Sequence, residues 1–429
     1  MKEGQCCQCS SATHGSTVNR TLSKLKIKVK MHATPRIFIV PGLGQKNPQP
    51  QPWTRSLLVY VRALLMTFLV APYLLAQSPS DALALEQQGK FAEAADAWRA
   101  VVQQNPKDAV AFASLGLDLA RQQKYSEAVA VYKKAAALNP RLPGLQLNLG
   151  LAEFKQGHFQ SAIAPLSKAL AADPGSSQAR ILLGMSYYGA KRFDEAIKYL
   201  APAAKADPAN TELHQVLAQS CMRTKNYSCA LEEFRKILGQ DPDSAAAHVL
   251  TGEALDGLQK TNEAIAEFEA AANIAPRQPE LHFGLGYLYW KSHQYDDAKH
   301  AFETELSIDP GNPQALAYLG DIAFKANNIE EAASLLEKSL QRTKDLRIAY
   351  LDLGAVRTQQ KQYPAAVKAL QRAIALDPTE PDAHYRLGRV YQLTGKKAEA
   401  EQEFAKTREL HQKADAAVVI KVPIAPQPP

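Results

Sequence analysis

A single interval of 34 residues organises most of this chain of 429 residues. Eight prolines follow the interval: Pro106, Pro140, Pro174, Pro208, Pro242, Pro276, Pro310 and Pro378. Lys344 stands at the one position of the series that lacks proline. An interval of about 20 to 50 residues is typical of proteins that stack copies of one structural motif. We therefore expect a repeat architecture rather than two or three separate globular domains.

Small residues keep the same interval and indicate what the motif is. One series consists of alanine alone: Ala94, Ala128, Ala162, Ala196, Ala230, Ala264, Ala298, Ala332, Ala366 and Ala400. A second series consists of glycine or alanine: Gly116, Gly150, Gly184, Ala218, Gly252, Gly286, Gly320, Gly354 and Gly388. Apolar residues between them are spaced by three and four, as in amphipathic helices. Because a larger side chain would push two crossing helices beyond the usual distance of about 8–10 Å, the two series predict helical hairpins.

The ends of these helices can also be predicted. Proline ends the second helix of a hairpin, because the residue before a proline is biased away from helical angles. Side chains that can cap the next helix follow two residues later at five boundaries: Asp108, Ser176, Asn210, Ser244 and Asn312. Four prolines stand where a first helical residue is expected: Pro143, Pro279, Pro313 and Pro381. We place ten hairpins, beginning near residues 78, 109, 143, 177, 211, 245, 279, 313, 347 and 381.

This combination of interval, small residues and closing proline resembles the tetratricopeptide repeat family. The Leu-Gly pair of that family matches Leu115-Gly116 and Leu149-Gly150, and its aromatic residue before the second helix matches Tyr125. The resemblance implies an all-α fold, an α-α superhelix (solenoid) of about ten helix-turn-helix repeats over residues 78–414. It is specific for the fold and generic for the function.

In the tetratricopeptide repeat family, the first helix of each repeat builds a concave groove. Matching of repeat positions places seven aromatic residues on that face: Phe154, Tyr188, Phe283, Tyr287, Trp290, Phe324 and Tyr385. Phe283, Tyr287 and Trp290 share one helical face, because their spacing is i, i+4, i+7. Aromatic side chains dominate interface energetics, so we expect this triad to anchor a helix or extended segment of a partner. The alternative is that the triad packs against the neighbouring repeat as ordinary core.

The excess of basic charge is confined to the N-terminal segment. Residues 1–62 contain ten Lys or Arg and one acidic residue, and the remainder is nearly neutral, so we expect no nucleic-acid partner. Residues 63–76 are apolar and uncharged. We therefore predict a basic, disordered leader over 1–55 and a signal peptide over 56–76. The alternative is that 56–76 is retained as a signal-anchor, which would then be the only contact with a membrane. Both alternatives place the repeats outside the cytoplasm, in a periplasmic or extracellular location.

Few residues outside the repeat pattern indicate chemistry. Cys221 and Cys229 lie on either side of one hairpin turn, where export would favour a disulfide, with buried free thiols as the alternative. A row of histidines shares one repeat position: His214, His248, His282 and His384. Because zinc needs nitrogens within about 2.1 Å and neighbouring first helices stand about 8–10 Å apart, we interpret the row as packing. We expect no cofactor, no metal site and no catalytic residue, and a proline-rich tail over 415–429.

These observations favour a non-catalytic, exported adaptor that binds a protein or peptide in the groove of a repeat solenoid. The alternative is an accessory subunit of a bacterial envelope assembly, or of a machine that exports polysaccharide or assembles the outer membrane. That alternative rests on analogy with other proteins of this fold, and fold alone does not determine function.

Overall fold

The computed structural model describes residues 78–420, and the predictions for residues 1–55, 56–76 and 421–429 lie outside this range. The described residues form helices connected by short turns and contain no strand, which confirms the all-α class. Each hairpin packs against the next one along the chain within its unit, as in an α-α superhelix. The chain divides into two compact units, one ending at Thr224 and the other beginning at Lys225.

The described part of the first unit contains nine helices that alternate between the first and second helix of successive hairpins. They are α1 Pro79–Gln87, α2 Phe91–Gln104, α3 Ala109–Arg121, α4 Tyr125–Leu138, α5 Leu145–Lys155, α6 Phe159–Ala172, α7 Ser177–Gly189, α8 Phe193–Ala206 and α9 Thr211–Arg223. The core of this unit runs along the hairpin crossings and includes Trp98, Leu115 and Tyr132.

The described part of the second unit contains eleven helices. They are α10 Tyr227–Gln240, α11 Ala245–Gly257, α12 Thr261–Ile274, α13 Leu281–Lys291, α14 Tyr295–Ile308, α15 Pro313–Lys325, α16 Ile329–Arg342, α17 Arg347–Gln359, α18 Tyr363–Leu376, α19 Pro381–Leu393 and α20 Lys397–Ile420. Helix α20 continues past residue 414, where the sequence predicts that the last repeat ends. Within residues 78–420, no helix is both long and apolar enough to cross a membrane.

The glycine series marks the closest contact of the two helices in a hairpin, as predicted. A Cβ atom on Gly116 would lie 2.5 Å from the ring of Tyr132, and one on Gly320 would lie 2.7 Å from Cγ of Leu336. Both distances are far shorter than a van der Waals contact, so a Cβ atom at either position would displace the packed side chain or force the helices apart. The interval therefore records a steric requirement that recurs in each hairpin.

Most of the predicted helix starts are confirmed. The side chains of Asp108, Ser176, Asn210 and Asn312 accept hydrogen bonds from backbone N–H groups in the first turn of the helices that follow. Ser244 occupies the same cap position without making such a bond. These bonds satisfy donors that would otherwise have no partner inside the helix.

Two predicted helix starts are wrong. Pro313 and Pro381 are first helical residues, but α5 and α13 begin two residues after Pro143 and Pro279. The residues in front of α5 and α13 are Gly144 and Glu280, which adopt left-handed angles with φ of 73° and 68°. In α13, the buried carboxylate of Glu305 from the neighbouring helix α14 takes over the capping role. It accepts hydrogen bonds from the N–H groups of Glu280, at 2.8 Å, and Phe283, at 3.2 Å.

Candidate partner-binding site

The predicted aromatic triad meets a fourth ring, that of Tyr318, in the second unit. The centroid of Tyr318 lies 5.9 Å from that of Phe283, 5.8 Å from that of Tyr287 and 5.0 Å from that of Trp290. The ring of Phe302 also stacks on Tyr318, with the two centroids 5.5 Å apart. We call these five residues the aromatic cluster. It joins α13 to α14 of its own hairpin and to α15 of the next one.

The position of the aromatic cluster combines the two interpretations of the triad. Phe283, Tyr287 and Trp290 are partly buried, and each packs against the core of the next hairpin through Tyr318. The remaining surface of these three side chains is exposed to solvent. Edge-to-face ring contacts such as those of Tyr287 and Trp290 with Tyr318 add about 0.5–1.5 kcal/mol per pair beyond burial. The triad therefore has a packing role and keeps a solvent-facing aromatic edge.

Charged side chains border this edge. The indole Nε1–H of Trp290 donates to Oδ2 of Asp321 at 2.6 Å, and the same carboxylate forms an ion pair with Lys325. The Lys325 ammonium lies 4.9 Å from the centre of the Trp290 ring, a cation–π geometry. One hairpin earlier along the row, Nζ of Lys291 lies 2.6 Å from Oδ1 of Asp256. An apolar centre with a charged rim is the usual arrangement of a protein-interaction surface.

A buried carboxylate next to this rim was not predicted from the sequence. Asp352 in α17 is 3% exposed, and its Oδ1 lies 3.7 Å from a guanidinium nitrogen of Arg386. Burial raises the pKa of Asp352, and the charge of Asp321 raises it further, against the opposing effect of Arg386. Its Oδ2 has no hydrogen-bond partner among the described residues. A polar residue at a mostly apolar repeat position is a weak signal, because the sequence does not show which neighbours surround it.

The first unit places its two predicted groove residues inside the protein. Phe154 and Tyr188 are 6% and 3% exposed, and they make edge-to-face contacts with Phe159 and Phe193 of their own hairpins. The Tyr188 hydroxyl donates to Oε1 of Gln219 at 2.6 Å, and burial raises the pKa of Tyr188. Phe154 therefore packs within its own hairpin, and Tyr188 also joins its hairpin to the next one. A role of either residue in binding a partner stays a prediction.

A second buried carboxylate lies near the N-terminal end of the first unit. Asp118 in α3 is fully buried, and its Oδ1 lies 3.2 Å from a guanidinium nitrogen of Arg121. The same nitrogen lies 3.3 Å from Oε2 of Glu86, whose other oxygen accepts the indole N–H of Trp98 at 2.9 Å. Burial, followed by the nearby charge of Glu86, raises the pKa of Asp118 to about 7. Two acids therefore share one guanidinium, which favours a proton on Asp118 near neutral pH.

The remaining predicted groove residues lie in the second unit. Phe324 in α15 is half-buried against the core that contains Leu336. Tyr385 in α19 is 48% exposed, and its ring centroid lies 5.9 Å from that of Phe404. Their part in partner binding stays a prediction.

The two cysteines that the sequence singles out lie on successive helices. Cys221 is buried near the end of α9, and Cys229 lies in the first turn of α10. Helix α9 belongs to the first unit and α10 to the second. The disulfide between the two cysteines stays a prediction.

The predicted histidine row has a local role. At five successive repeats, a side-chain N–H donates to the carbonyl of the closing proline six residues earlier. The pairs are Gln146 with Pro140, Arg180 with Pro174, His214 with Pro208, His248 with Pro242 and His282 with Pro276, at 2.6–3.3 Å. His384 instead places Nδ1 2.6 Å from Oε2 of Glu403. Among the described residues, no three potential ligands from His, Cys, Asp or Glu group around a possible metal position.

Models of the tetratricopeptide repeat match the sequence along most of the described range. Three models with this description match residues 82–108, residues 153–220 and 187–253, and residues 283–346. A fourth, described as TPR repeat, matches residues 116–157 and 354–395. Together the matches span more than half of the chain. No curated protein is similar enough in sequence to count as a match.

Solved structures of low identity resemble the chain. A tetratricopeptide repeat protein from Parabacteroides merdae is 16% identical with a TM-score of 0.45, over 57% of this chain and 97% of that one. Yeast Tom70 is 14% identical with a TM-score of 0.38, over 80% and 95%. Naa15/Naa10 bound to HypK-THB gives 20% identity and a TM-score of 0.38, and the match covers 78% of this chain and 58% of that one. Assignment to a family rests on the sequence models and the hairpins, not on these scores.

Proposed function

Because the chain is a tetratricopeptide repeat protein, we propose that it is a scaffold that binds a protein or peptide and performs no chemistry itself. Stacked repeats present long rows of equivalent helices to a partner, and this use of the fold is common to repeat proteins. Fold alone does not establish function, so the proposal depends on what the first helices present to solvent.

The aromatic cluster is the observation that supports this proposal best. Its rings are held in place from below by Tyr318, so little side-chain freedom remains to be lost when a partner binds. The solvent-facing edges of Tyr287 and Trp290 offer apolar contact, and Asp321 and Lys325 offer both charges beside it. A helix or extended segment with one or two apolar side chains flanked by polar residues fits this surface.

The proposal can be tested by removing one partly exposed ring of the aromatic cluster while its buried rings, Tyr318 and Phe302, stay in place. Tyr287→Ala removes solvent-facing aromatic surface and one edge-to-face contact with Tyr318, and it leaves the hydrogen bond from Trp290 to Asp321 in place. Tyr289→Ala is the matched control, because Tyr289 lies on the same helix and points its hydroxyl to Glu269 of α12, 2.5 Å away. The measurement is cross-linking of the purified chain to host proteins, followed by mass spectrometry of the linked residues.

We expect one partner to be cross-linked along α13 and α15, and its yield to fall at least about tenfold with Tyr287→Ala and to remain with Tyr289→Ala. Circular dichroism must show equal helix content in the three proteins. Equal yields from the two variants, with cross-links elsewhere, would refute a binding role for the aromatic cluster.

Export to an oxidising compartment is a further part of the proposal, as is a place in an envelope assembly. Its support is the apolar segment at 63–76 and the pair Cys221 and Cys229, because structural disulfides are rare in the cytosol. Fractionation of host cells tests the location, and intact mass with and without reductant tests the pairing. Free thiols in protein from the envelope fraction would contradict the disulfide, and repeats confined to the cytosol would contradict export.

A further inference from the structure

A cavity of about 650 Å³ lies in the second unit between the second helices α16 and α18. Tyr350 and Leu353 of α17 contribute to its lining, together with Arg357 from the end of that helix and Ala369 and Lys368 of α18. We call this space the outer groove. Its volume falls within the range of about 300–1,000 Å³ that is usual for ligand sites.

Comparison with the hairpin formed by α7 and α8 shows which side chains can fill the space that the outer groove leaves open. In that hairpin, Tyr187 and Tyr199 stack with their centroids 5.5 Å apart and their planes 7° apart. Five intervals of 34 residues later, the same repeat positions hold Arg357 and Ala369. Alanine has no ring to stack, and the Arg357 side chain is drawn toward Glu337, with which it forms an ion pair. Two side chains that fill the space in one hairpin are therefore missing in the other.

The exposure of Leu353 is an independent sign that the floor of the outer groove is open. Seven other leucines precede the glycine or alanine of the crossing at the same repeat position, and all seven are buried: Leu115, Leu149, Leu183, Leu217, Leu285, Leu319 and Leu387. Leu353 is only partly buried, and so is Tyr350 beside it. An apolar floor that remains accessible to solvent at one repeat only is a candidate contact for an apolar side chain.

The charge around the outer groove selects among partners. Its lining contains three basic side chains, Arg357, Lys368 and Arg372, and one acidic side chain, that of Glu337. Arg357 is already engaged by Glu337, and Arg372 lies 3.3 Å from the highly exposed Asp345. Lys368 is exposed, and its side chain makes no hydrogen bond or ion pair within the described residues. Lys368 is therefore available to a carboxylate of a ligand, and Arg372 is held only by an exposed ion pair, which is weak.

We propose that the outer groove binds an acidic amphipathic segment of a partner protein. The segment places one bulky apolar side chain against Leu353 and Tyr350, and its carboxylates face Lys368 and Arg372. This surface is built from α16, α17 and α18, whereas the aromatic cluster is built from α13, α14 and α15. The inference therefore goes beyond the proposed function and does not depend on the aromatic cluster as a binding site.

Synthetic peptides provide the probe, because the natural partner is not identified. The first is a twelve-residue fluorescent peptide with a central Leu-Trp pair flanked by glutamates. The second replaces every glutamate by lysine, and the third replaces Leu and Trp by alanine. Fluorescence anisotropy with the whole chain measures binding, and hydrogen–deuterium exchange locates it. We expect binding of the first peptide alone, with protection in α16 to α18 and none in α13 to α15.

Two kinds of variant test the location. Ala369→Tyr restores the ring that Tyr199 supplies in the α7–α8 hairpin and should weaken binding at least about tenfold. Ala301→Tyr makes the same change at the same repeat position two hairpins earlier and should leave binding unchanged. Lys368→Glu/Arg372→Glu replaces exposed residues, so the fold is retained, and should weaken binding of the acidic peptide to a similar extent.

Some results would overturn the proposal. Equal affinity for the glutamate and lysine peptides would refute recognition of acidic segments. Unchanged affinity in both Ala369→Tyr and Lys368→Glu/Arg372→Glu would exclude the outer groove as the site. Protection from hydrogen exchange in α13–α15 alone would show that the peptide binds at the aromatic cluster. That result would support the proposed function and reject the outer groove.

Discussion

Tyr188 in the first unit and Trp290 in the second occupy the same repeat position and make the same kind of bond. Each donates a hydrogen bond of 2.6 Å to the first helix of the next hairpin, and the acceptor follows 31 residues later in both cases. The acceptors differ, however, because Gln219 is neutral and Asp321 is an acid paired with Lys325. Tyr188 is buried, whereas Trp290 remains partly exposed.

This difference shows what a repeat determines and what it leaves to individual residues. The interval places an aromatic donor opposite the next helix in both units. Exposure and charge depend on side chains that the interval does not specify, such as Tyr318 below Trp290 and Asp352 close to Asp321. A closed, neutral contact uses its ring surface within the stack, whereas a half-open, charged contact leaves ring surface and charge exposed to solvent. Four predictions test this distinction, beginning with the largest expected effect.

Removal of Tyr318 should have the largest effect, because four other rings contact it. Tyr318→Ala should lower the free energy of unfolding by about 3–5 kcal/mol, the usual range for a buried aromatic residue changed to alanine. Tyr318→Leu is the control, because Leu182 holds the same repeat position in the first unit. Urea denaturation followed by circular dichroism measures the change. A loss below about 1 kcal/mol with Tyr318→Ala would show that the aromatic cluster is not a packed centre.

The second prediction concerns pH. The pKa of Asp118 is raised from the ordinary value of 3.8 to about 7, and that of Asp352 is raised as well. The folded state therefore holds protons that the unfolded state has released. This contribution to stability is fully present below about pH 4 and is lost as pH rises toward 7. We expect the free energy of unfolding to fall by roughly 1–3 kcal/mol between pH 5 and pH 8 from these two groups.

The pH effect can be assigned with amide variants. Asp118→Asn/Asp352→Asn mimics the protonated acids and should flatten the pH profile relative to the natural chain. The single variants divide the effect between the two units. Chemical denaturation at pH 5, 6, 7 and 8 is the measurement. Parallel profiles for the natural chain and the double variant would contradict the raised pKa values.

The third prediction concerns the neutral contact. Tyr188→Phe keeps the buried ring and removes the hydroxyl that donates to Gln219, so it should cost about 0.5–1.5 kcal/mol. The cost should not change between pH 5 and pH 8, because the pKa of Tyr188 is raised further above that window by burial. Thermal and urea unfolding at both pH values check it. A cost that varies with pH would show that this contact is coupled to a titrating group.

The sequence predicted the hairpins because the crossing of two helices imposes the same steric requirement in each repeat. Gly116 and Gly320 report that requirement directly, and the caps at Asp108 and Asn312 report local backbone donors. The start of α13 was missed because its cap is Glu305, which follows 25 residues after Glu280. Rules for local sequence cannot identify a cap that the partner helix of the hairpin supplies from 25 residues away.

The candidate site was predictable only in part for the same reason. The helical spacing of Phe283, Tyr287 and Trp290 put them on one face, but the ring they share, Tyr318, comes from another hairpin. Exposure was not predictable either, because Trp290 and Phe154 hold equivalent positions and differ in burial. The outer groove depends on Arg357 and Ala369, two ordinary residues whose effect is visible only when their packing is compared with that of Tyr187 and Tyr199.

The smallest effect is expected from a substitution that makes the charged contact of the second unit neutral. Asp321→Asn keeps an oxygen that accepts the Trp290 indole N–H and removes both the ion pair with Lys325 and the repulsion of Asp352. At pH 5 Asp352 is protonated, so there is no repulsion to relieve, and loss of the partly exposed ion pair should cost up to about 1 kcal/mol. At pH 8 Asp352 is ionised, and relief of repulsion should offset most of that cost. A cost that is equal at both pH values, measured by urea unfolding, would show that the two carboxylates do not interact and that the charged contact differs from the neutral one only in its exposure.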